Sequence, residues 1–169
     1  MSTTPLTLEE IYNLAFKVLR DNGCDEFNAK NVAETVSNAE RDGSVSHGLF
    51  RIPGYVASLK SNKVKKDARP SNIFLTQNAI RVEGDYGFAP SAIKVGIPAL
   101  IEITNKHGVG VLTITNTHHF AALWHETEAL AENNLIGIAC TAYKPSVAPA
   151  GAKKPLFGTN PISFAWPRK

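Results

Sequence analysis

The chain has 169 residues, of which 43% are hydrophobic and 20% are charged. This composition is typical of a globular protein with a hydrophobic core and excludes a disordered chain. Eighteen basic and fifteen acidic side chains leave a net charge of +3, without the concentrated basic stripe that is usual in a nucleic-acid-binding protein.

The two cysteines and the N-terminus indicate the cellular compartment of the protein. Cys24 and Cys140 are far apart in the sequence, so we expect two reduced thiols rather than a disulfide framework or a zinc knuckle. The first ten residues are polar, and no apolar run approaches the roughly 20 residues that span a bilayer. We therefore predict a soluble cytoplasmic protein that binds neither nucleic acid nor a membrane.

Hydrophobic periodicity and turn residues predict helices in the first third of the chain. Thr7 and Glu10 have the spacing of a capping box, and Gly23 stands where a glycine stop is expected. A second helical pattern covers about residues 28–41. A third helix is predicted to start at Pro53, because proline is tolerated in the first turn of a helix but not in its interior.

Strands and helices are mixed from residue 72 onward. The predicted elements are a hairpin over 72–84, a helix over 92–106 that Gly96 and Pro98 would kink, a buried strand over 109–115, a helix over 120–132, and strands over 135–142 and 162–166. This order predicts an α+β fold, with a helical module at residues 1–70 and a mixed-sheet domain at residues 71–169.

His47, Arg51 and Tyr55 recur at intervals of four residues, so on a roughly helical backbone they share one face. An imidazole can give or take a proton near neutral pH, and a guanidinium binds a carboxylate through two parallel hydrogen bonds. Ser46 can bond to the imidazole or to a substrate atom. This set suits reduction of a 2-oxo or 2-imino acid, although the spacing also fits an ordinary surface pair.

A second cluster contains His118, His119 and His125, which follow a predicted strand and open a predicted helix. Helix N-termini bind phosphate, so this junction is a candidate dinucleotide site, although no GxGxxG fingerprint follows any predicted strand. His125 and Glu126 begin like the zinc motif HExxH, but Ala129 replaces its second histidine. A metal site and ordinary helix-cap or core histidines remain alternatives.

Gly158-Thr159-Asn160-Pro161 precedes the last predicted strand and is typical of a tight turn. Thr159 could also present its hydroxyl and backbone N–H to a ligand.

Three segments together resemble the malate/L-lactate dehydrogenase-like family. They are the Ser-His-Gly signature within residues 41–56, the run His-His-Phe-Ala-Ala-Leu-Trp at 118–124, and the pattern of residues 147–162. The Arg-Asp-Gly start and Pro-Gly-Tyr end of the first segment, and the second segment, are similar to the branch that reduces Δ1-piperideine-2-carboxylate and Δ1-pyrroline-2-carboxylate. The resemblance covers essentially the whole chain.

The resemblance implies a role for each matching residue. Ser46 belongs to a catalytic Ser–His–Asp relay, and His47 donates the proton to the imine nitrogen. The implied substrate-binding residues are Arg51, which takes the carboxylate, Tyr55 and Thr159. The implied cofactor-binding residues are His119, Phe120, Ala121, Ala122 and Leu123.

The same resemblance implies a nicotinamide-binding domain that is a mixed sheet and not a Rossmann fold, no metal, and a homodimer. The implied reaction transfers a hydride from NADPH, with NADH possible, to a cyclic 2-imino acid, and gives L-pipecolate or L-proline. The alternatives are an NAD(P)-dependent dehydrogenase of 2-keto acids such as malate or lactate, a metal-dependent hydrolase, and an inactive remnant.

Family members are roughly twice as long as this chain. We therefore expect a fragment in which the relay aspartate and most contacts to the adenosine end of the cofactor lie beyond Lys169. We expect such a chain to be inactive, or nearly so, by itself.

Overall fold

The structure is a computed structural model that describes residues 5–168. Its elements in chain order are α1 (Leu8–Asp21), α2 (Glu26–Arg41), α3 (Ile52–Lys60), β1 (Ser71–Thr76), β2 (Ala79–Glu83), α4 (Ala89–His107), β3 (Val111–Thr115), α5 (Trp124–Glu132), β4 (Gly137–Cys140) and β5 (Ile162–Ala165). The chain divides into two compact units, Met1–Ala122 and Leu123–Lys169. The predicted domain boundary near residue 70 differs from this division and stays a prediction.

The N-terminal helices have the caps that the sequence predicts. The backbone N–H of Glu10 donates to Thr7 Oγ1 at 3.2 Å, and the Glu10 carboxylate accepts the backbone N–H of Thr7 at 2.8 Å, which completes the capping box. Asp25 caps α2 by accepting the backbone N–H of Asn28 at 3.0 Å. The buried faces of these helices meet in one core, which includes Ala15, Leu19, Val32, Val36, Leu59, Val64 and Phe88.

A mixed three-stranded sheet in the order β1-β2-β3 follows these helices. β1 and β2 form the predicted antiparallel hairpin, and β3 lies parallel to β2 with Ile114 opposite Val82. A parallel pair needs a crossover, which α4 provides. Ile80 and Val82 of β2 are buried. The helices and the mixed sheet confirm the predicted α+β class.

α4 is longer than the predicted helix, and β3 differs from the prediction in its burial. α4 extends through Gly96 and Pro98, and a Cβ on Gly96 would overlap the side chains of Val82 and Leu112, so this glycine permits close packing of the helix on the sheet. The prediction that β3 is buried is wrong. β3 is an edge strand, and its alternate residues, Val111 among them, are exposed.

In the second unit, α5 packs on the antiparallel pair β4–β5, in which Ile138 lies opposite Phe164. Thr127 of α5 and Ser163 of β5 share a hydrogen bond of 2.7 Å between their hydroxyls. α5 begins at Trp124, four residues later than predicted. Within residues 5–168, none of the helices combines the length and apolar character that crossing a bilayer requires.

Candidate active site

The segment that joins α2 to α3 carries the first predicted cluster on two short 3₁₀ turns, Val45–His47 and Leu49–Arg51. The backbone N–H of Leu49 donates to Glu40 Oε1 of α2 at 2.7 Å. A Cβ on Gly48, between the two turns, would overlap this same carboxylate. The peptide between His47 and Arg51 is therefore held by a side chain that sequence reasoning missed.

The imidazole of His47 is anchored through Nδ1. Ser46 Oγ lies 3.0 Å from this nitrogen, and Ser44 Oγ lies 3.3 Å from it. Because a hydroxyl can donate or accept, Nδ1 is bonded in either protonation state and Nε2 is left for a ligand. Burial, and second the positive charge of Arg51, lower the pKa of His47 below its usual value. The ring is therefore mostly neutral at pH 7.

Arg51 is held at the base of its guanidinium. Its Nε donates to the carbonyl oxygen of Ser46 at 2.7 Å. This bond leaves the two terminal nitrogens, with four N–H groups, for other acceptors. Among the described residues of the first unit, no carboxylate lies within ion-pair distance of Arg51. The terminal guanidinium is thus available to the carboxylate of a ligand.

Tyr55 lies one turn further along, on α3, and is only 4% exposed. Its hydroxyl lies 3.0 Å from His119 Nδ1, and their rings meet edge to face with centroids 5.4 Å apart. The centroids of the His47 and His119 rings are 6.4 Å apart. The structure therefore brings His119 of the second predicted cluster next to His47 of the first.

The charge of Arg51 acts on all three of these rings. Burial, and then Arg51, lower the pKa of His119 to about 4. Burial raises the pKa of Tyr55 to about 12, and Arg51 opposes this rise. Together with its effect on the pKa of His47, this places the guanidinium within electrostatic range of both imidazoles and of the phenol.

The segment between β3 and α5 is irregular and contains His119 and Ala121 in the left-handed region, with φ of 56° and 48°. Non-glycine residues rarely adopt this conformation, and such backbone strain concentrates at functional sites. Phe120 and Ala122 lie in the same segment. The prediction that His118 and His119 open a helix is wrong, because α5 begins only at Trp124.

His118 has a supporting contact that the sequence did not reveal. Its Nε2 lies 3.1 Å from Ser58 Oγ, and that hydroxyl donates to the carbonyl oxygen of Gly54 at 3.0 Å. A hydroxyl has one proton, so His118 Nε2–H is the donor to Ser58. The backbone N–H of His118 also donates to the carbonyl oxygen of Gly87 at 2.9 Å. These bonds fix the start of the segment that carries His119.

The second unit contains Leu123 and Thr159. Leu123 is its first residue and is 8% exposed. Thr159 is exposed and lies in the irregular segment before β5, next to Asn160, whose Oδ1 accepts the backbone N–H of Tyr143 at 3.0 Å. This bond joins two loop segments of the second unit, and a ligand contact by Thr159 stays a prediction.

Glu126 of α5 is a buried carboxyl, and its burial was not predicted from the sequence. Neither of its oxygens has a hydrogen-bond partner within residues 123–168, and burial raises its pKa to about 8. In the part of the chain that the structure describes, no three His, Cys, Asp or Glu side chains are grouped so as to hold a metal ion.

Comparison with known proteins agrees with the predicted resemblance. Residues 6–169 match the profile of the malate/L-lactate dehydrogenase family. A Δ1-pyrroline-2-carboxylate/Δ1-piperideine-2-carboxylate reductase of Pseudomonas aeruginosa is 41% identical over 163 residues, which are 96% of this chain and 49% of that protein. The Δ1-pyrroline-2-carboxylate reductase 2 of Burkholderia multivorans is 40% identical, over 96% of this chain and 48% of its own length.

Solved structures give the same result. The Δ1-piperideine-2-carboxylate reductase of Pseudomonas syringae has a TM-score of 0.91 at 38% identity, over 98% of this chain and 50% of that one. A malate dehydrogenase of Entamoeba histolytica has a TM-score of 0.90 at 29% identity, over 98% of this chain and 46% of that one. The chain spans about half the length of the curated relatives it matches.

Proposed function

Because the chain belongs to the malate/L-lactate dehydrogenase family, we propose that it supplies the proton donor and the carboxylate-binding group of a reductase of cyclic 2-imino acids. The proposed substrates are Δ1-piperideine-2-carboxylate and Δ1-pyrroline-2-carboxylate. The observation that carries the proposal is the geometry around Ser46, whose carbonyl oxygen accepts Arg51 Nε at 2.7 Å and whose Oγ lies 3.0 Å from His47 Nδ1. The names of relatives that are about 40% identical support the imino acid over other substrates.

Arg51 would bind the substrate. Its terminal N–H groups can make two parallel, charge-assisted hydrogen bonds to a carboxylate. The bond from Nε to the Ser46 carbonyl sets the direction of the guanidinium. The carboxylate is attached to C2, so this contact also sets the distance of the C=N bond from His47.

His47 would deliver the proton. The bound carboxylate offsets the positive charge of Arg51, which raises the pKa of His47 and favours uptake of a proton. In the charged ring Nδ1–H donates to Ser46 Oγ, which lies 3.0 Å away, and Nε2–H faces the substrate nitrogen. As C2 accepts a hydride, that nitrogen takes the proton from Nε2, so the C=N bond becomes an amine and the ring returns to its neutral form.

One observation supports a nicotinamide cofactor at this site. The lowered pKa of His119, about 4, keeps that ring neutral at pH 7. His47 returns to its neutral form once it has given up its proton, and Arg51 would be matched by the substrate carboxylate. The cationic ring of an oxidised nicotinamide would therefore meet little net positive charge. When bound, NADPH, or NADH, supplies the hydride. The residues proposed to hold it are His119, Phe120, Ala121 and Ala122, with Leu123 next to them in sequence.

The test separates binding from turnover. Picolinate is a flat, unreactive analogue with its ring nitrogen next to the carboxylate, and nicotinate is a matched control with the nitrogen one position further away. We expect picolinate to bind more tightly than nicotinate, and the difference to disappear in His47→Phe. Equal binding of the two acids, or an unchanged preference in the variant, would argue against the proposal.

Turnover is measured as NADPH oxidation with Δ1-piperideine-2-carboxylate, pyruvate and oxaloacetate. The proposal expects the imino acid to be the best of the three. A second candidate, a 2-keto-acid dehydrogenase, is favoured by the malate dehydrogenases with TM-scores of 0.90 and 0.91. It expects oxaloacetate or pyruvate to be faster. Binding of picolinate without turnover would limit the proposal to the binding of substrate.

The resemblance also supports a homodimer as the functional assembly. Sedimentation velocity of the purified protein tests this part of the proposal, and a monomer at all accessible concentrations would refute it.

A further inference from the structure

Two hydrogen-bond donors converge on one nitrogen of His119. The backbone N–H of Ala121 lies 3.3 Å from Nδ1, and the Tyr55 hydroxyl lies 3.0 Å from it. A backbone amide can only donate, so Nδ1 must present its lone pair. The proton of the neutral ring is therefore on Nε2, and the Tyr55 hydroxyl is also a donor to Nδ1.

The surroundings of Tyr55 keep its hydroxyl a hydrogen-bond donor. The side chain is buried, and its ring is fixed edge to face against Phe88, with centroids 5.2 Å apart. Its raised pKa of about 12 keeps the hydroxyl protonated at any physiological pH. The hydrogen bond to Nδ1 therefore persists across the range in which His47 titrates.

The other edge of the His119 ring carries Nε2–H. Within residues 5–122 no acceptor lies in hydrogen-bond distance of this group, and the side chain is half-buried. The ring lies beside that of His47, with centroids 6.4 Å apart. A donor that residues 5–122 leave unused thus lies next to the proposed proton donor.

We propose that His119 donates a hydrogen bond through Nε2–H to an oxygen atom of the bound ligand, and that Tyr55 is a positioning residue that fixes this tautomer together with the backbone N–H of Ala121. The choice of ligand rests on the proposed function, whereas the tautomer follows from the contacts alone. The sequence predicts a direct contact between Tyr55 and the substrate. In this proposal the buried hydroxyl acts through His119 instead.

The tautomer is tested by long-range ¹H–¹⁵N spectra of protein labelled in its histidines. In the wild type we expect His119 to show an unprotonated Nδ1 and a protonated Nε2. In Tyr55→Phe, which keeps the ring and removes the hydroxyl, loss of one neutral hydrogen bond should lower the ratio of Nε2–H to Nδ1–H by roughly fivefold. The control Tyr86→Phe alters a tyrosine that is 64% exposed and should change nothing.

A protonated Nδ1 in the wild type would overturn the proposal, and so would wild-type nitrogen shifts in Tyr55→Phe. A purely structural role for Tyr55 would alter stability without moving the tautomer ratio. If Tyr55→Phe does not fold, the wild-type spectrum still decides the tautomer.

The ligand is tested by adding picolinate alone or NADP⁺ alone and observing the Nε2–H proton of His119. A shift with picolinate assigns the oxygen to the substrate carboxylate, and a shift with NADP⁺ assigns it to the nicotinamide carboxamide. If the signals of His47 move and those of His119 do not, the donor role is wrong and the proposed function stands. If neither residue responds to either compound, the donor role of His119 and the proposed function are both wrong. The tautomer of His119 is still decided by the ligand-free spectra.

Discussion

A Cβ atom on Gly48 would overlap the carboxylate of Glu40. That carboxylate accepts the backbone N–H of Leu49 at 2.7 Å, and it reaches this N–H only because Gly48 has no side chain. The contact fixes the peptide that separates His47 from Arg51.

Gly48→Ala and Glu40→Ala should therefore remove the same hydrogen bond. The Glu40 side chain is flexible and can swing away from a new methyl group. The expected cost is thus that of one charge-assisted hydrogen bond, about 1.5–3 kcal/mol. In a double-mutant cycle measured by urea unfolding, the double variant should be little less stable than either single variant. Additive costs would show that the two residues act independently, and Glu34→Ala on the exposed side of α2 is the control.

Replacement of Arg51 should change the titration of His47. Arg51→Gln removes a positive charge that disfavours the imidazolium, so the pKa of His47 should rise. NMR titration of His47 measures this, and Arg81→Gln, which removes an exposed arginine on β2, should leave the pKa unchanged. A fall in the pKa, or no change, would mean that the guanidinium does not face the ring.

Arg51→Lys should keep the charge and weaken binding of the ligand. A lysine cannot form two parallel hydrogen bonds to a carboxylate, and it lacks the Nε that donates to the Ser46 carbonyl. We expect picolinate affinity to fall by about tenfold or more, which corresponds to roughly 1.4 kcal/mol. Calorimetric titration measures the affinity, and wild-type affinity in the lysine variant would refute the two-bond contact.

The pKa of His119 makes stability depend on pH. It is about 4 in the folded protein and near its usual value of 6.5 in the unfolded chain. Between these values the unfolded chain binds more protons, so the free energy of unfolding should fall as the pH is lowered from about 6.5 towards 4. Urea unfolding at several pH values should show a shallower fall in His119→Gln than in the wild type. Equal slopes would contradict the buried, neutral ring.

Glu126 should have the opposite effect on the pH dependence of stability. Its pKa is raised to about 8 in the folded protein, so stability should fall as the pH rises from the usual carboxyl value of 4.5 to about 8. Glu126→Gln mimics the protonated form and should stabilise the protein at pH 8 by on the order of 3 kcal/mol, with little effect at pH 4.5. The exposed Glu132→Gln on the same helix is the control. A stabilisation that is equal at both pH values would not come from ionisation.

Local signals in the sequence predicted much of the fold. The capping box of Thr7 and Glu10 and the hairpin around residues 77–78 involve neighbours in the chain, so their residue types are sufficient. The exposure of β3 was not predictable in this way, because it depends on which strands and helices pack beside it. The start of α5 was missed because His119 and Ala121 adopt left-handed conformations that these residue types do not indicate.

In the candidate site, too, local features were predictable from the sequence and contacts between distant residues were not. The spacing of His47, Arg51 and Tyr55 predicted that they lie near one another, and the structure has them on consecutive turns. The contact of Tyr55 with His119 joins residues 64 positions apart, and no pattern in one sequence indicates it. Glu40 was missed for a related reason, because its role depends on the space left by a glycine eight residues later.

Whether His47 and Arg51 face the same bound acid is decided by the pKa of His47, titrated by NMR with and without saturating picolinate. A carboxylate on Arg51 offsets the charge that lowers this pKa, so picolinate should raise the pKa in the wild type and leave it unchanged in Arg51→Gln. If picolinate binds to the wild type without moving the pKa of His47, or moves it equally in the variant, the two residues do not form one site.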